Sequence, residues 1–221
     1  MQPAAQPGSS TDGSKHRRDD GRLLRGARSR ARIRAAARTL FQERGFDAAT
    51  LRAIAARAGM GASSIYRHVE SKQELLVLEL AELQEEAWIG FRRQDDRSDA
   101  TRERVRAFFR IQHALLARDP DLTVIAIRAT TYPDARIARR VLAINDRSVG
   151  LLAEILQTGR MSDDLERGVD ILAAARALFH AATGARISWA NGLLSEDACR
   201  AAIDTSIELL FRGIARNHTP R

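Results

Sequence analysis

The sequence predicts an all-α protein, with a small N-terminal domain of three short helices and a larger helical domain behind it. Three observations lead to this fold class. Only five prolines interrupt the 221 residues, apolar residues recur at helical spacing along most of the chain, and no segment alternates apolar and polar residues as a half-buried strand does. A chain of this length buries an ordinary hydrophobic core in one or two domains.

The composition excludes several classes of protein. The single cysteine, Cys199, cannot form an internal disulfide, and the N-terminus lacks the apolar core of a secretory signal. No apolar run reaches the roughly 18 residues of a membrane span, so we expect a cytoplasmic protein with no membrane partner. Metal-binding, glycine-rich phosphate-binding and catalytic motifs are absent from the sequence. We therefore expect no enzyme activity, no catalytic residue, no metal and no cofactor.

The net charge of +8 is concentrated at one end of the chain. Residues 1–72 carry 15 Lys and Arg against 6 Asp and Glu, whereas the remaining residues carry 21 against 22. Cations that face phosphates release condensed counterions from DNA, so a localised basic segment is typical of nucleic-acid binding. The alternative is a basic tail that only aids solubility.

Residues 1–24 are expected to form a disordered basic arm, because they are rich in Pro, Gly, Ser and charge and lack apolar periodicity. One hypothesis is that the cations of this arm and of the residues after it follow the minor groove of DNA. These cations are Lys15, Arg17, Arg18, Arg22, Arg25, Arg28 and Arg30.

The first two predicted helices are amphipathic. The first spans residues 28–44, and Gly45 ends it in a left-handed conformation. Its apolar face consists of Ile33, Ala36, Ala37, Leu40 and Phe41. Thr50 is the N-cap of the second helix, which ends at Gly59.

A third short helix follows the glycine-rich turn at residues 59–61 and holds Ile65 and Val69 inward. Ser71 and Glu74 then form a capping box that begins a fourth helix. Two short helices joined by a tight turn containing glycine are typical of the helix-turn-helix, whose second helix enters the DNA major groove.

These elements predict a helix-turn-helix domain at residues 25–72 and a larger helical domain at residues 73–221. The second domain is expected to contain six helices, at residues 72–93, 99–118, 121–131, 134–157, 163–190 and 196–216.

The run that carries the helix-turn-helix closely resembles the DNA-binding domain of the TetR family of bacterial transcriptional repressors. The resemblance covers about residues 30–80 and includes the run ARIRAAARTLFQERGFDAATLRAIAARAGMGASSIYRHVESKQELL. Its specific elements are Phe41, Gly45-Phe46, Thr50, Ile54-Ala55, Ala58-Gly59, Ile65-Tyr66, His68, Ser71-Lys72 and Leu75-Leu76.

The resemblance implies roles for several residues at the DNA. Thr50, Tyr66, His68 and Lys72 match the family's phosphate-contacting positions, although Thr50 and His68 serve equally as helix caps. The positions of the third helix that are expected to face the bases are Ala62, Ser63, Ser64, Tyr66 and Arg67. Arg67 and Arg52 offer bidentate contacts to guanine, so we expect these two arginines to supply most of the direct readout.

For residues 73–221 the resemblance implies a homodimer and a small-molecule pocket. An alanine-rich helix at 163–190 and a stripe of Ile203, Ile207, Leu210 and Ile214 resemble a four-helix subunit interface; the alternative is packing within one subunit. A dimer places two reading helices about 34–36 Å apart on a palindromic operator.

Polar and aromatic residues on apolar stripes are candidates for effector contacts, since buried polar groups need partners. They are Trp88, Phe91, Phe109, His113, Arg128, Asn145 and Trp189. Each also fits an ordinary core or interface position.

The sequence thus predicts a DNA-binding repressor that a small-molecule effector releases from double-stranded operator DNA. The resemblance implies that release involves a movement of the fourth helix. The alternative is a ligand-independent regulator or an architectural DNA-binding protein. A cavity among residues 80–190 favours the first hypothesis, and a filled core favours the second.

Overall fold

The computed structural model describes residues 12–214, with side chains from Arg25 onward. The described residues form nine helices: α1 (Asp12–Ala48), α2 (Leu51–Arg57), α3 (Ala62–Ile65), α4 (Lys72–Gln94), α5 (Thr101–Leu116), α6 (Pro120–Thr131), α7 (Ala138–Met161), α8 (Ile171–Ala190) and α9 (Glu196–Ile214). The predicted all-α class is confirmed. No helix in this part of the chain is both long enough and apolar enough to cross a membrane.

The chain divides into two compact units between Val69 and Glu70. The N-terminal unit contains α1 to α3, and the C-terminal unit contains α4 to α9. In the N-terminal unit α1 packs against α2, and α2 against α3. The apolar positions of the first and third helices that the sequence predicts to face inward, from Ile33 to Val69, are buried.

Gly45 interrupts α1 with φ 77° and ψ 162°. The sequence correctly predicted a positive φ at this glycine, but ψ is extended and not left-handed helical as expected. Backbone of this kind is essentially restricted to glycine. Phe46, the next residue, packs its ring 5.2 Å from that of Phe41, so the break returns the chain to the core of the unit.

The start of α1 differs from the disordered arm that the sequence predicted for residues 1–24. The backbone is helical from Asp12 onward, while residues 1–11 lie outside the described residues. Extending an existing helix adds a hydrogen bond for each residue fixed, which costs far less than nucleating one. The strong amphipathic helix that follows therefore supports helical structure in a segment that has no apolar face of its own.

In the C-terminal unit, four of the six predicted helices begin and end within two residues of their predicted bounds. Helix α7 differs at both ends, and α8 differs only at its start. The break expected at residues 158–162 lies instead at residues 162–170. The hydroxyl of Thr158 donates to carbonyls of the preceding turn, so it is tolerated inside α7. The turn comes at Asp163, with φ 63°, and Asp170 caps α8 by accepting from the N–H groups of Leu172 and Ala173.

The core of the C-terminal unit is formed by aromatic residues of α4 and α5 and aliphatic residues of α7, α8 and α9. Ile203 and Ile207, which the sequence assigned to a subunit interface, are only 4% and 1% exposed within this single chain. Their assignment was wrong, because α9 turns this stripe toward its own subunit and packs on α5 and α8.

Candidate DNA-reading surface and ligand cavity

The N-cap Thr50 and the glycine Gly59 fix the local geometry of the helix-turn-helix. Thr50 has extended backbone and accepts a hydrogen bond at Oγ1 from the N–H of Ala53 at 3.1 Å, which fixes the start of α2. Gly59 has φ 64° and redirects the chain between α2 and α3. The predicted pair of short helices around a glycine turn is present in the described structure.

The residues from Ala62 to Val69 separate into an inward and an outward set. Ile65 and Val69 are buried, as predicted. The outward set contains exposed Ala62, Ser63, Tyr66 and Arg67, together with partly exposed Ser64 and His68. Tyr66 is 62% exposed, which is unusual for a large aromatic residue. An exposed outward set of this kind is available to a partner.

The arginines near this surface differ in how their charge is used. Arg57 forms a bidentate ion pair with Glu43, at 2.7 Å for both contacts, which joins α2 to α1. Arg67 donates from Nη2 to Ser64 Oγ at 2.9 Å. Arg52 is exposed and makes no hydrogen bond or ion pair with the residues that the structure describes. Arg52 is therefore a surface cation whose charge is not paired with any described side chain.

Lys72 is the first residue of α4 and belongs to the C-terminal unit. The capping box predicted here is half confirmed. Ser71 Oγ accepts from the N–H of Glu74 at 3.1 Å, but the Glu74 carboxylate accepts from the N–H of Glu70 and not from that of Ser71. The same carboxylate, only 2% exposed, pairs with Arg140 of α7 at 2.6 Å.

A cavity of about 140 Å³ lies among α4, α5, α6, α7 and α8 of the C-terminal unit. We call it the effector cavity. Its wall is mostly apolar and includes Leu80, Leu83, Leu116, Ile127, Val141 and Phe179. A filled core, which the alternative reading of the sequence required, is absent from this part of the described structure.

Two polar pairs interrupt the apolar wall of the effector cavity. Gln84 donates from Nε2 to Ser148 Oγ at 2.7 Å. Arg186 donates from Nη2 to Gln112 Oε1 at 2.7 Å, while its buried Nε atom has no hydrogen-bond partner among the described residues. Burial lowers the pKa of this guanidinium to about 10, so it remains charged at neutral pH.

A second, more polar cavity of about 280 Å³ lies between α5 and α9. His113 lines it and is 3% exposed, with neither ring nitrogen hydrogen-bonded; Nε2 lies 3.5 Å from Glu196 Oε1. Burial, followed by the positive charge of Arg186, lowers the pKa of His113, so the ring is neutral at pH 7. No cluster of three or more metal-ligating side chains occurs within the described range.

The seven residues predicted to contact an effector are dispersed by the fold. Asn145 lines the effector cavity, and Phe109 and His113 line the second cavity. The other four lie elsewhere: Trp88 and Phe91 in the packed aromatic core, Arg128 on the exposed surface, and Trp189 against the ring of His113. Gln84, Gln112 and Arg186, which were not among the predicted contacts, line the effector cavity instead.

The fold and these sites define a helix-turn-helix DNA-binding protein with a separate cavity-bearing helical unit. The sequence model of bacterial regulatory proteins of the TetR family matches residues 33–78. The chain is 30% identical over 182 residues to the HTH-type transcriptional repressor KstR of Rhodococcus jostii, with 82% of each protein covered. The chain belongs to the TetR family, and the resemblance seen in its sequence is confirmed. The protein is a DNA-binding transcriptional regulator.

Solved structures of TetR-family proteins share the fold. The repressor FadR of Thermus thermophilus, in complex with lauroyl-CoA, is 24% identical with a TM-score of 0.73, covering 87% of this chain and 98% of that one. FadR of Bacillus subtilis, in complex with stearoyl-CoA, is 20% identical with a TM-score of 0.65, covering 83% and 98%.

Proposed function

We propose that the protein is a homodimeric repressor that binds a palindromic operator and leaves it when an effector with an apolar body occupies the effector cavity. The cavity is the observation that carries this proposal. A regulator that needed no ligand would gain stability by filling such a space with side chains, because protein interiors are close-packed. The mostly apolar wall favours an effector that contributes a hydrocarbon group.

The proposed DNA contacts form two groups that share Tyr66, whose hydroxyl and ring can serve different contacts. Thr50, Tyr66, His68 and Lys72 contact phosphates, which positions the protein without reading sequence. The residues proposed to face base edges are Arg52, Ala62, Ser63, Ser64, Tyr66 and Arg67. The exposure of the outward set and the unpaired charge of Arg52 support this division.

The proposed dimer interface uses the outward faces of α8 and α9. On α8 the exposed residues Ala173, Ala177 and Gly184 share one face and are small enough for helices to approach closely. On α9 the exposed Leu209 offers an apolar contact that no described residue covers. Two copies joined here would read two half-sites of one palindrome.

An acyl-CoA thioester is the effector class that the two FadR complexes suggest. A closed apolar cavity of about 150 Å³ accepts a benzene-sized molecule, so a dodecanoyl chain exceeds the effector cavity as it stands. A long chain must therefore extend through the open side of the cavity or move the surrounding helices apart. Since Leu80 and Leu83 of α4 form part of the wall and α4 begins at Lys72, directly after the DNA-reading unit, movement of α4 is the proposed route of release.

The test uses the full-length protein and genomic fragments selected by their binding to it. In gel-shift titrations at fixed salt, dodecanoyl-CoA should weaken the affinity for the selected fragment, and free CoA should not. Hexanoyl-CoA, whose chain is half as long, should bind with less effect on DNA. By linkage, the fragment should weaken dodecanoyl-CoA binding by the same factor.

The thermal melting temperature provides a second readout, because a ligand that binds only the folded protein raises it. If the fragment binds tightly but acyl thioesters change neither its affinity nor the melting temperature, the ligand-independent regulator is the correct function. If no genomic fragment is enriched, the DNA-reading proposal itself fails.

A further inference from the structure

We infer that Arg186 recognises the polar end of the effector by donating from its guanidinium group to a carbonyl or carboxylate oxygen carried next to the apolar group. This inference rests on the proposed function. It adds the chemistry that distinguishes an effector from any other hydrocarbon of suitable size, and it names the residue that reads this chemistry.

The guanidinium of Arg186 is held in one orientation by two contacts. Its Nη2 donates to Gln112 Oε1 at 2.7 Å, and its Cζ lies 5.7 Å from the ring centroid of Phe109. Together the hydrogen bond and the ring contact favour one orientation of the planar guanidinium. The guanidinium of Arg186 is therefore an oriented, charged donor group of a residue that lines the effector cavity.

The buried Nε–H of Arg186 has no hydrogen-bond acceptor among the described residues. Unmade hydrogen bonds of buried donors are unfavourable, and those of charged groups more so. No ion pair to a carboxylate is formed by Arg186 within the described residues. The lowered pKa of the guanidinium reflects the same loss of solvent. A ligand oxygen with full or partial negative charge beside the guanidinium would balance its charge.

Gln84 and Ser148, two polar residues of the cavity wall, are already hydrogen-bonded within the protein. The amide of Gln84 already donates to Ser148 at 2.7 Å, and the Ser148 hydroxyl donates to the carbonyl of Ile144 at 3.1 Å. Among the described residues that line this cavity, Arg186 is the one with a charged side chain. The class of effector is an apolar group attached to an acceptor oxygen, as in an acyl thioester or a free fatty acid.

The experiment compares two ligands that differ only at the oxygen: dodecanoyl-CoA, a thioester, and S-dodecyl-CoA, the thioether without the carbonyl group. Dissociation constants are measured by calorimetry on the full-length protein. Wild type should bind the thioester about 10- to 100-fold more tightly, the range for one hydrogen bond to a charged group. Dodecanoate is the third ligand, and it shows whether a carboxylate substitutes for the thioester.

Arg186→Met should abolish the difference between thioester and thioether, leaving the thioether affinity near that of wild type. Arg176→Met, an exposed arginine on the same helix, is the matched control and should keep the full difference. Should Arg186→Met fail to fold, Arg186→Lys retains the charge, lacks the fork and should reduce the difference. Operator affinity without ligand reports whether each variant is intact.

The outcomes separate this inference from the proposed function. If wild type binds thioester and thioether equally, or if Arg186→Met weakens both by the same factor, Arg186 does not read the oxygen although the cavity binds ligand. If wild type binds none of the three ligands, the proposed acyl effector is refuted along with the inference.

Discussion

The arginines of this chain differ in what their guanidinium groups contact, and the contact decides the role. Arg104 is buried and forms a bidentate pair with Asp95 at 2.7 and 2.8 Å, so its charge is balanced within the core. Arg57 is exposed but committed to Glu43. Arg52 has no such commitment. The sequence alone does not distinguish these arginines. Those whose guanidinium groups form no ion pair within the protein are available for DNA.

At this scale we expect Arg52→Ala to cost about 1–3 kcal/mol in binding to the cognate operator, because a bidentate contact to guanine is lost. Arg67→Ala should cost less, since Arg67 exchanges its hydrogen bond with Ser64 for one with a base. Fluorescence anisotropy on cognate and random DNA at the same salt measures both losses.

Arg93→Ala, which removes an exposed arginine of α4, is the control and should leave the discrimination between cognate and random DNA unchanged. An equal loss of affinity on cognate and random DNA for Arg52→Ala would identify Arg52 as a phosphate contact instead.

At the scale of helices, an ion pair joins the first turn of α4 to α7. The buried carboxylate of Glu74 joins the N–H of Glu70 to the guanidinium of Arg140. The next residue of α7, Val141, lines the effector cavity. The helix that forms one wall of the cavity thus also holds the start of the helix that follows the DNA-reading unit.

We expect Arg140→Ala to lower the free energy of unfolding by about 1–3 kcal/mol. Removing one partner of a buried pair leaves an uncompensated charge, and the half-exposed Arg140 reduces the full penalty. Urea denaturation followed by circular dichroism measures the change. Arg139→Ala, at the exposed neighbouring position, should be nearly neutral. Equal destabilisation by both substitutions would show that Glu74 does not depend on Arg140.

At the scale of the whole molecule, the proposed dimer decides how much DNA is read. Leu209 on α9 and Leu142 on α7 are exposed to the same degree, 62% and 61%. Only Leu209 lies on the proposed interface. The two leucines therefore form a matched pair for testing where the subunits meet.

We expect Leu209→Asp to make the protein monomeric at micromolar concentration, because a carboxylate would be desolvated in the interface. Light scattering measures the mass, and operator affinity should fall as the two half-sites are no longer bound together. Leu142→Asp should remain a dimer. A dimer that survives Leu209→Asp with unchanged operator affinity would exclude this face.

The sequence by itself determined the helical class, the helix-turn-helix and its outward residues. These follow from signals that act over a few residues: the Thr50 cap, the glycine at position 59 and the apolar spacing from Ile33 to Phe41. Such local signals do not depend on how distant parts of the chain pack. The family resemblance added specific positions to a motif that was already visible.

Only the tertiary structure decided which residues meet at the cavity and which stripe of α9 faces its own core. Sequence periodicity shows that Ile203 and Ile207 lie on one face, but not what covers that face. Arg186 shares a helical face with the cavity residues Phe179 and Thr183, so the helical spacing alone could have indicated that it lines the cavity. Its hydrogen-bond partner Gln112, however, is 74 residues away in sequence. Contacts between distant helices depend on how all of them pack together, and no local pattern encodes that arrangement.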